Sequence, residues 1–480
     1  MNPIISVDET HIQLIRRSGL FDEGWYLRTY RDVAMLEMDP VEHYLRLGAF
    51  LERDPSPKFS TRDYLFINDD VAFAGINPLL HYVTVGQREG RFISLEEDIV
   101  TAERIAGRIP LKPGAPNVLL CAHDAQQQLF GGERSFLDMA AALYAIGVNV
   151  IVTLPQKNNV AYIDHLASLC SEIRILKYPM WRGQVPCMEK VVAAFELLIR
   201  ELGIDIVYVN TIMLVEPQVA ARRAGVASFC HVRELIEDDE HLMARIRMSA
   251  QEIAAAVRAR STHIIANSRL TASMFAGNDV IYAPNVVDSS IFDIPNTIGE
   301  RIVFGMISSN LPKKGIHDLI EIARLCEVCV PQACFVAVGP LNDYVEAFIE
   351  AGLPQNLRFT GYAATPREAV AQMNVVLSLS HFSESFGRTV AEGLAARRPV
   401  IAYARGAVPE LLQNGESGYL IEPGAVEDVV RKIEYLVANP ERINAMGQAG
   451  RDFVTANFAP SALENALETA VRSVITKTLE

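Results

Sequence analysis

From Asn117 onward, short apolar runs alternate with longer segments in which apolar residues recur at helical spacing. The runs Asn117–Ala122, Asn149–Thr153, Ile173–Leu176, Asp205–Val209, Ala227–His231, His263–Ala266 and Val280–Tyr282 read as strands. Most are near-continuous in Val, Ile and Leu rather than alternating with polar residues, as expected of a parallel sheet buried on both faces. A second series follows at Ile302–Ile307, Cys334–Val338, Asn356–Thr360, Val375–Leu379 and Pro399–Tyr403, again separated by helix-length segments. This pattern predicts an α/β protein with two tandem Rossmann-like doubly wound domains, over 117–288 and 300–460, and a C-terminal helix over 461–480. Joined around residues 288–300, the two domains leave a cleft facing the carboxyl ends of both sheets.

Ahead of a linker at Leu111–Pro116 the pattern changes to an internal repeat. Sliding 21–53 by 38 residues onto 59–91 superposes Phe21 on Phe59, Tyr26 on Tyr64, Val33 on Val71, Pro40 on Pro78, His43 on His81, Tyr44 on Tyr82, Gly48 on Gly86 and Arg53 on Arg91. Each unit reads as a short helix (Trp25 to Tyr30, with Asp22 as N-cap), a turn, and a second helix from Pro40 that stops near Gly48. Residues 1–110 are therefore expected to form a small α-helical repeat domain. A helical hairpin of this size cannot bury both its faces alone, so the units must pack on each other or on the rest of the protein. The aromatic neighbours of His43 and His81 point to helix packing rather than metal binding.

Length and charge narrow the class. At 480 residues the chain is too long for one core. Its net charge of −14 excludes a nucleic-acid binder and gives no polybasic membrane anchor, although peripheral membrane contact is compatible with it. There is no apolar run long enough to span a bilayer, and the acidic start lacks the features of a signal peptide, which leads to the expectation of a cytoplasmic protein. Seven scattered cysteines fit reduced core thiols. The cluster Cys326, Cys329 and Cys334 has no neighbouring His at zinc spacing, and its first two members lie on a helical pattern.

The candidate chemistry concentrates at Glu384-Ser385-Phe386-Gly387-Arg388-Thr389-Val390-Ala391-Glu392. A glycine turn here follows an apolar strand and opens a helix, and a helix N-terminus favours a phosphate before any side chain contributes. Glu384 on the loop can accept hydrogen bonds from sugar hydroxyls, and Glu392, one turn into the helix, from the vicinal hydroxyls of a ribose. The segment reads as a site for an anionic sugar nucleotide. Across the expected cleft, Gly131-Gly132 precede a helix over Phe136–Leu143 and would let backbone approach a ligand closely, although glycines also make ordinary turns there. His231 ends a strand at the cleft edge. Lys314, after Lys313 and before Gly315, can place a cation against a diphosphate.

These residues resemble a known family, the retaining, nucleotide-sugar-dependent glycosyltransferases of the GT-B fold, family 4 type. The resemblance covers roughly residues 117–460 and rests on Glu384 with Glu392, Lys314-Gly315, Gly361-Tyr362, Arg405-Gly406 with Pro409-Glu410, Gly415 to Leu420, Pro284 to Asp288 with Phe292, and Gly131-Gly132-Glu133-Arg134. It implies a donor-binding second domain and an acceptor-binding first domain. Glu384 would hold donor-sugar hydroxyls, Lys314 would neutralise the diphosphate, and His231 would hydrogen-bond the sugar near the reacting carbon. Phe386 and Gly387 would present backbone N–H groups, Glu392 would bind the ribose, and Gly131, Gly132, Arg388 and Thr389 would complete the donor contacts. The resemblance further implies metal-independent transfer to a glycan, lipid-linked or protein acceptor, as in polysaccharide biosynthesis, with a nucleotide-diphosphate sugar as donor and no cofactor. The repeats, lying outside this core, would serve acceptor docking or self-association into a homo-oligomer.

The chain departs from the family at two places. The arginine usually found five or six residues before the lysine is replaced by Ser309 and Ser308, and Phe130 stands where the first glycine of the N-terminal loop would be. The loss of a bidentate donor raises an alternative, a non-catalytic sugar-nucleotide or glycan-binding scaffold with a degenerate site. A GT-B-fold epimerase or phosphorylase fits the Glu384, Glu392 and Lys314 set less well.

Overall fold

The computed structural model describes residues 8–36, 38–94, 102–123, 129, 131–275 and 280–475. Phe130 and residues 476–480 lie outside them. Among the described residues fourteen strands form two sheets. The first contains β1 (Glu103–Ala106), β2 (Asn117–Cys121), β3 (Asn149–Leu154), β4 (Glu172–Ile175), β5 (Ile206–Val209), β6 (Ala227–Val232), β7 (His263–Ala266) and β8 (Val280–Tyr282). Their order is β1-β4-β3-β2-β5-β6-β7-β8, parallel except for β1, which pairs antiparallel with β4 in the register Glu103 to Ile175. The second sheet contains β9 (Ile302–Ile307), β10 (Ala333–Val338), β11 (Leu357–Phe359), β12 (Val375–Ser378), β13 (Val400–Tyr403) and β14 (Gly418–Ile421). It is parallel throughout, in the order β11-β10-β9-β12-β13-β14.

Each sheet carries apolar layers on both faces. In β2, Leu119 and Cys121 enter one layer with Val191, Phe195 and Val207, while Val118 and Leu120 enter the other with Phe136, Leu143 and Val152. Successive side chains of a strand point to opposite faces, so a run without polar residues can only be satisfied by burial on both. In the second sheet Phe304, Met306 and Leu377 face one layer and Val336, Val376 and Ala402 the other.

Three features differ from expectation. The strands β1 and β14 were not expected. Apart from the half-buried Ile105, β1 is exposed along its length, and the Arg104 to Glu172 ion pair (2.7 Å) holds it at the sheet edge where a hydrophobic pattern is not required. The turn expected within each repeat unit is a short helix, Arg31–Met35 in the first and Asp69–Ala74 in the second. Finally, the helix Pro460–Ile475 crosses back from the second sheet and packs Leu463, Leu467, Ala470 and Val471 into the first sheet's outer layer beside Val118 and Leu120.

The helical units repeat their internal contacts: Tyr26 Oη lies 3.0 Å from His43 Nδ1, and Tyr64 Oη lies 2.8 Å from His81 Nδ1. Asp22 caps the Glu23–Thr29 helix by accepting from the Trp25 N–H. The second unit is anchored in the first α/β domain, with Ile67 and Phe92 buried in the layer that contains Leu119.

Candidate functional site

Strand order places the site. In the first sheet the order reverses between β2 and β5, and in the second between β9 and β12. Ligands of open parallel sheets sit outside the carboxyl ends of the strands at such reversals, because neighbouring loops there diverge to opposite faces and leave a crevice. The segments at this end of the sheets are those at Gly131 and Gly132, at Arg233 and Glu234, from Ser308 to Lys314, and from Leu379 to Gly387. They meet in a cleft of about 500 Å³. Gly131, Gly132, Lys314, Glu384, Phe386, Gly387, Arg388, Thr389 and Glu392 all line it.

On the second domain, Gly387 turns the chain from the loop into the helix Arg388–Ala395 with φ of +94°, a conformation only glycine adopts without strain. Gly387 at the N-cap has no side chain to cap this helix, so among the described residues N–H groups of its first turn are left for a ligand in the cleft. Phe386 is buried against Phe458, ring centroids 5.4 Å apart, which fixes the loop's backbone while its side chain stays in the core. Glu392 is 3% exposed. Burial raises its carboxyl above the usual range, and Arg388 and Arg134 pull it back down. Lys314 ends a single turn, Pro312–Lys314, and forms an ion pair with Glu384. Gly315 lets the two loops close on each other, since a Cβ there would stand 2.0 Å from the Leu379 carbonyl oxygen. Ser308 and Ser309 line the cleft where the resemblance leads one to expect an arginine; the Ser308 hydroxyl lies 3.1 Å from Asn310 Oδ1 and accepts from the Asn310 N–H at 2.9 Å.

On the first domain, Gly131 and Gly132 are the first residues of a helix running to Ala145, five residues earlier than the apolar pattern indicates. Arg233 spans the wall, donating from Nε to the Asn210 carbonyl at 2.8 Å and from Nη1 to the Gly132 carbonyl at 3.2 Å. Glu234 accepts from the Thr211 hydroxyl at 2.5 Å. His231 stands at the end of β6 as expected, but the cleft wall is formed by Arg233 and Glu234. The imidazole is 1% exposed, with Nδ1 3.1 Å from Tyr208 Oη and Nε2 without a partner among the described residues. Burial, aided by the Arg233 charge, pushes its pKa down to about 3, so the ring is neutral at pH 7.

Contacts that sequence reasoning missed join the two walls. Arg388 Nη1 donates to Asp138 Oδ2 of the opposite domain at 2.8 Å. Asn267 Nδ2 donates to Ser385 Oγ at 3.2 Å, and Tyr362 Oη to the Leu129 carbonyl at 3.2 Å. The Glu410 carboxylate accepts from the Arg269 and Leu270 N–H groups at 2.8 and 2.7 Å, closing the N-terminus of the helix Arg269–Ser273 from the other domain. The signal that could have pointed to Asp138 is its spacing: it lies four residues after Arg134 on the helix that Gly131 opens, hence on the same face.

Comparison with known proteins agrees with this architecture. Residues 288–453 match the family model of glycosyl transferases group 1, which spans the second domain and the site loops it contributes. Among curated relatives, the poly(ribitol-phosphate) alpha-N-acetylglucosaminyltransferase of Staphylococcus aureus is 29% identical over 182 residues, covering 37% of this chain and 34% of that protein. The GDP-mannose-dependent alpha-(1-6)-phosphatidylinositol monomannoside mannosyltransferase of Mycobacterium tuberculosis is 29% identical over 173 residues, covering 34% of this chain and 45% of that protein. The chain thus spans about a third to under half of the length of these relatives. The crystal structure of HepE from Anabaena in complex with UDP superposes with a TM-score of 0.62 at 20% identity, over 75% of this chain and all of that one. This likeness establishes the GT-B-like fold with its two parallel-sheet domains.

Proposed function

We propose that the protein is a retaining glycosyltransferase that moves a sugar from a nucleotide-diphosphate donor to a glycan, lipid-linked or protein acceptor. The observation that carries this reading is the uncapped helix N-terminus at Arg388, bracketed by Glu384 and Glu392 and faced by Lys314, within a cleft between two α/β domains. The ribose sits on Glu392, the diphosphate in front of the helix N-terminus and Lys314, and the sugar on Glu384. HepE supports a uridine nucleotide as one donor class, whereas the mycobacterial relative is named for GDP-mannose, so the base is a matter for measurement.

In the proposed reaction the bond between the anomeric carbon and the donor phosphate oxygen breaks, and the acceptor oxygen bonds to that carbon from the same face. The acceptor's proton passes to the departing phosphate oxygen. The protein's part is positioning and charge stabilisation: Lys314 and the helix dipole neutralise the diphosphate without calling on a metal, and Glu384 fixes the sugar. The ion pair between Lys314 and Glu384 holds the two groups side by side, as a diphosphate and its sugar would require. Among the described residues His231 Nε2 has no hydrogen-bond partner, and the buried ring, which does not line the cleft, would reach the sugar only if the wall at Arg233 and Glu234 moved. The setting proposed is the cytoplasm; among the described residues no helix is long and apolar enough to cross a membrane.

Calorimetric titration with UDP, GDP, ADP and their sugars, without added metal, tests the donor site. Binding of one base class that is lost in Glu392→Ala, with Glu384→Ala chiefly lowering turnover, is the expected result. Full activity in both variants would overturn the assignment. Ser308 and Ser309 favour the second reading, a non-catalytic binder. Selective binding of the donor with no transfer of its sugar to any acceptor, water included, would decide for it.

A further inference from the structure

The cations around the cleft are not equally available. Lys314 is paired with Glu384, Arg388 with Asp138, and both Arg233 contacts to the walls are to backbone carbonyls. Ser308 and Ser309 carry no charge. Arg134 differs from the other three. It lines the cleft from the first turn of the 131–145 helix, within electrostatic reach of Glu392 and Asp138, and among the described residues it has no hydrogen bond or ion pair.

Arg134 lines the same cleft as the N-terminus of the Arg388–Ala395 helix, and a cation and a helix N-terminus both favour an anion there. Gly131 and Arg388 already approach closely, since a Cβ on Gly131 would lie 3.8 Å from Arg388 Cδ.

We propose that Arg134 is a phosphate-binding residue of the donor site, supplying from the first domain the forked cation that the loop at Ser308 and Ser309 lacks. This rests on the donor reading given above. The planar guanidinium binds two phosphate oxygens at once, which a lysine cannot reproduce. Donor binding then needs both domains, and a nucleotide bridges them through its phosphate rather than through its base.

The test compares UDP with uridine by calorimetry and competition, with the guanine and adenine pairs alongside, on the full chain and on Arg134→Ala, Arg134→Lys and Glu392→Ala. Arg134→Ala is expected to weaken UDP at least tenfold while changing uridine less than twofold. Arg134→Lys should recover part of the UDP loss, and Glu392→Ala should weaken both ligands. Undiminished UDP affinity in Arg134→Ala, beside a loss in Glu392→Ala, would overturn the inference and leave the donor site standing. Equal losses for UDP and uridine in Arg134→Ala would also overturn it, by assigning the residue to the nucleoside or to folding. Should the alanine variant unfold, Arg134→Lys reads the same contrast. Failure of the wild type to bind any nucleotide would remove the donor reading and this inference together.

Discussion

Buried at the end of β6 with Nε2 unpartnered among the described residues, His231 shows what a strand pattern can and cannot say about a single residue. Its place at the carboxyl edge is legible, because an apolar run ends there. Which side chain reaches the cleft depends on where the wall closes over β6, and Arg233 and Glu234 are the residues that reach it. The depressed pKa has a consequence for stability. In the unfolded chain the imidazole takes up a proton near its ordinary value of 6.5, whereas in the folded chain it does so only near 3. Between those values the unfolded state binds more protons, so the contribution is full above pH 6.5 and is lost as the pH falls toward 3. Thermal unfolding of wild type and His231→Gln across this range should show the wild type losing stability faster on acidification. Parallel curves would mean that the ring is solvated in solution. Glu384, Lys314 and Glu392 were legible for a simpler reason: each lies within a few residues of an apolar strand end or a glycine turn, where local rules decide position.

At the scale of elements, the helix Arg388–Ala395 is short, and its geometry depends on one residue. Its buried face, with Val390, Ala391 and Leu394, packs under β12, while its start is fixed by the left-handed turn at Gly387. Any Cβ at Gly387 also meets Leu411 and Val408 side-chain atoms at 3.3 Å. Gly387→Ala is therefore expected to cost about 1–2 kcal/mol from the backbone conformation, with further loss from crowding. It should weaken nucleotide binding more than the change in stability explains, because the N–H groups are re-aimed. Thermal melting and calorimetry on the same preparation separate the two effects. The parallel strands other than β14 were legible from their apolar runs; β1 was not, because an edge strand with one half-buried residue leaves no hydrophobic signature. The same limit applies to the Pro460–Ile475 helix. Its apolar stripe announces a buried face but not the domain that buries it, and only the structure shows Leu463 and Leu467 lying against the first sheet.

For the whole molecule, the question is what sets the two domains at the spacing the cleft requires. The crossing helix ties them at the back, with the Val287 N–H donating to the Phe458 carbonyl at 3.2 Å beside it. At the cleft, the Arg388 to Asp138 pair and the Glu410 cap on Arg269 and Leu270 tie them at the front. These front contacts escaped sequence reasoning because their partners are more than a hundred residues apart and meet only once both domains have folded. The side chains of Arg388 and Asp138 are 15% and 25% exposed, so truncating one leaves the other charge largely buried and unpaired, at a cost of about 2–5 kcal/mol. Hydrogen bonds from N–H groups to a charged carboxylate such as Glu410 contribute about 1.5–3 kcal/mol each. If these contacts hold the cleft closed, Asp138→Ala with Glu410→Ala should raise the radius of gyration measured by small-angle scattering in the absence of ligand. Saturating nucleotide should then restore it, since a phosphate in front of Arg388 takes over the role of the lost carboxylate. An unchanged radius in the double variant would assign the domain spacing to the helix crossing alone. The front contacts would then act on the ligand rather than on the closure.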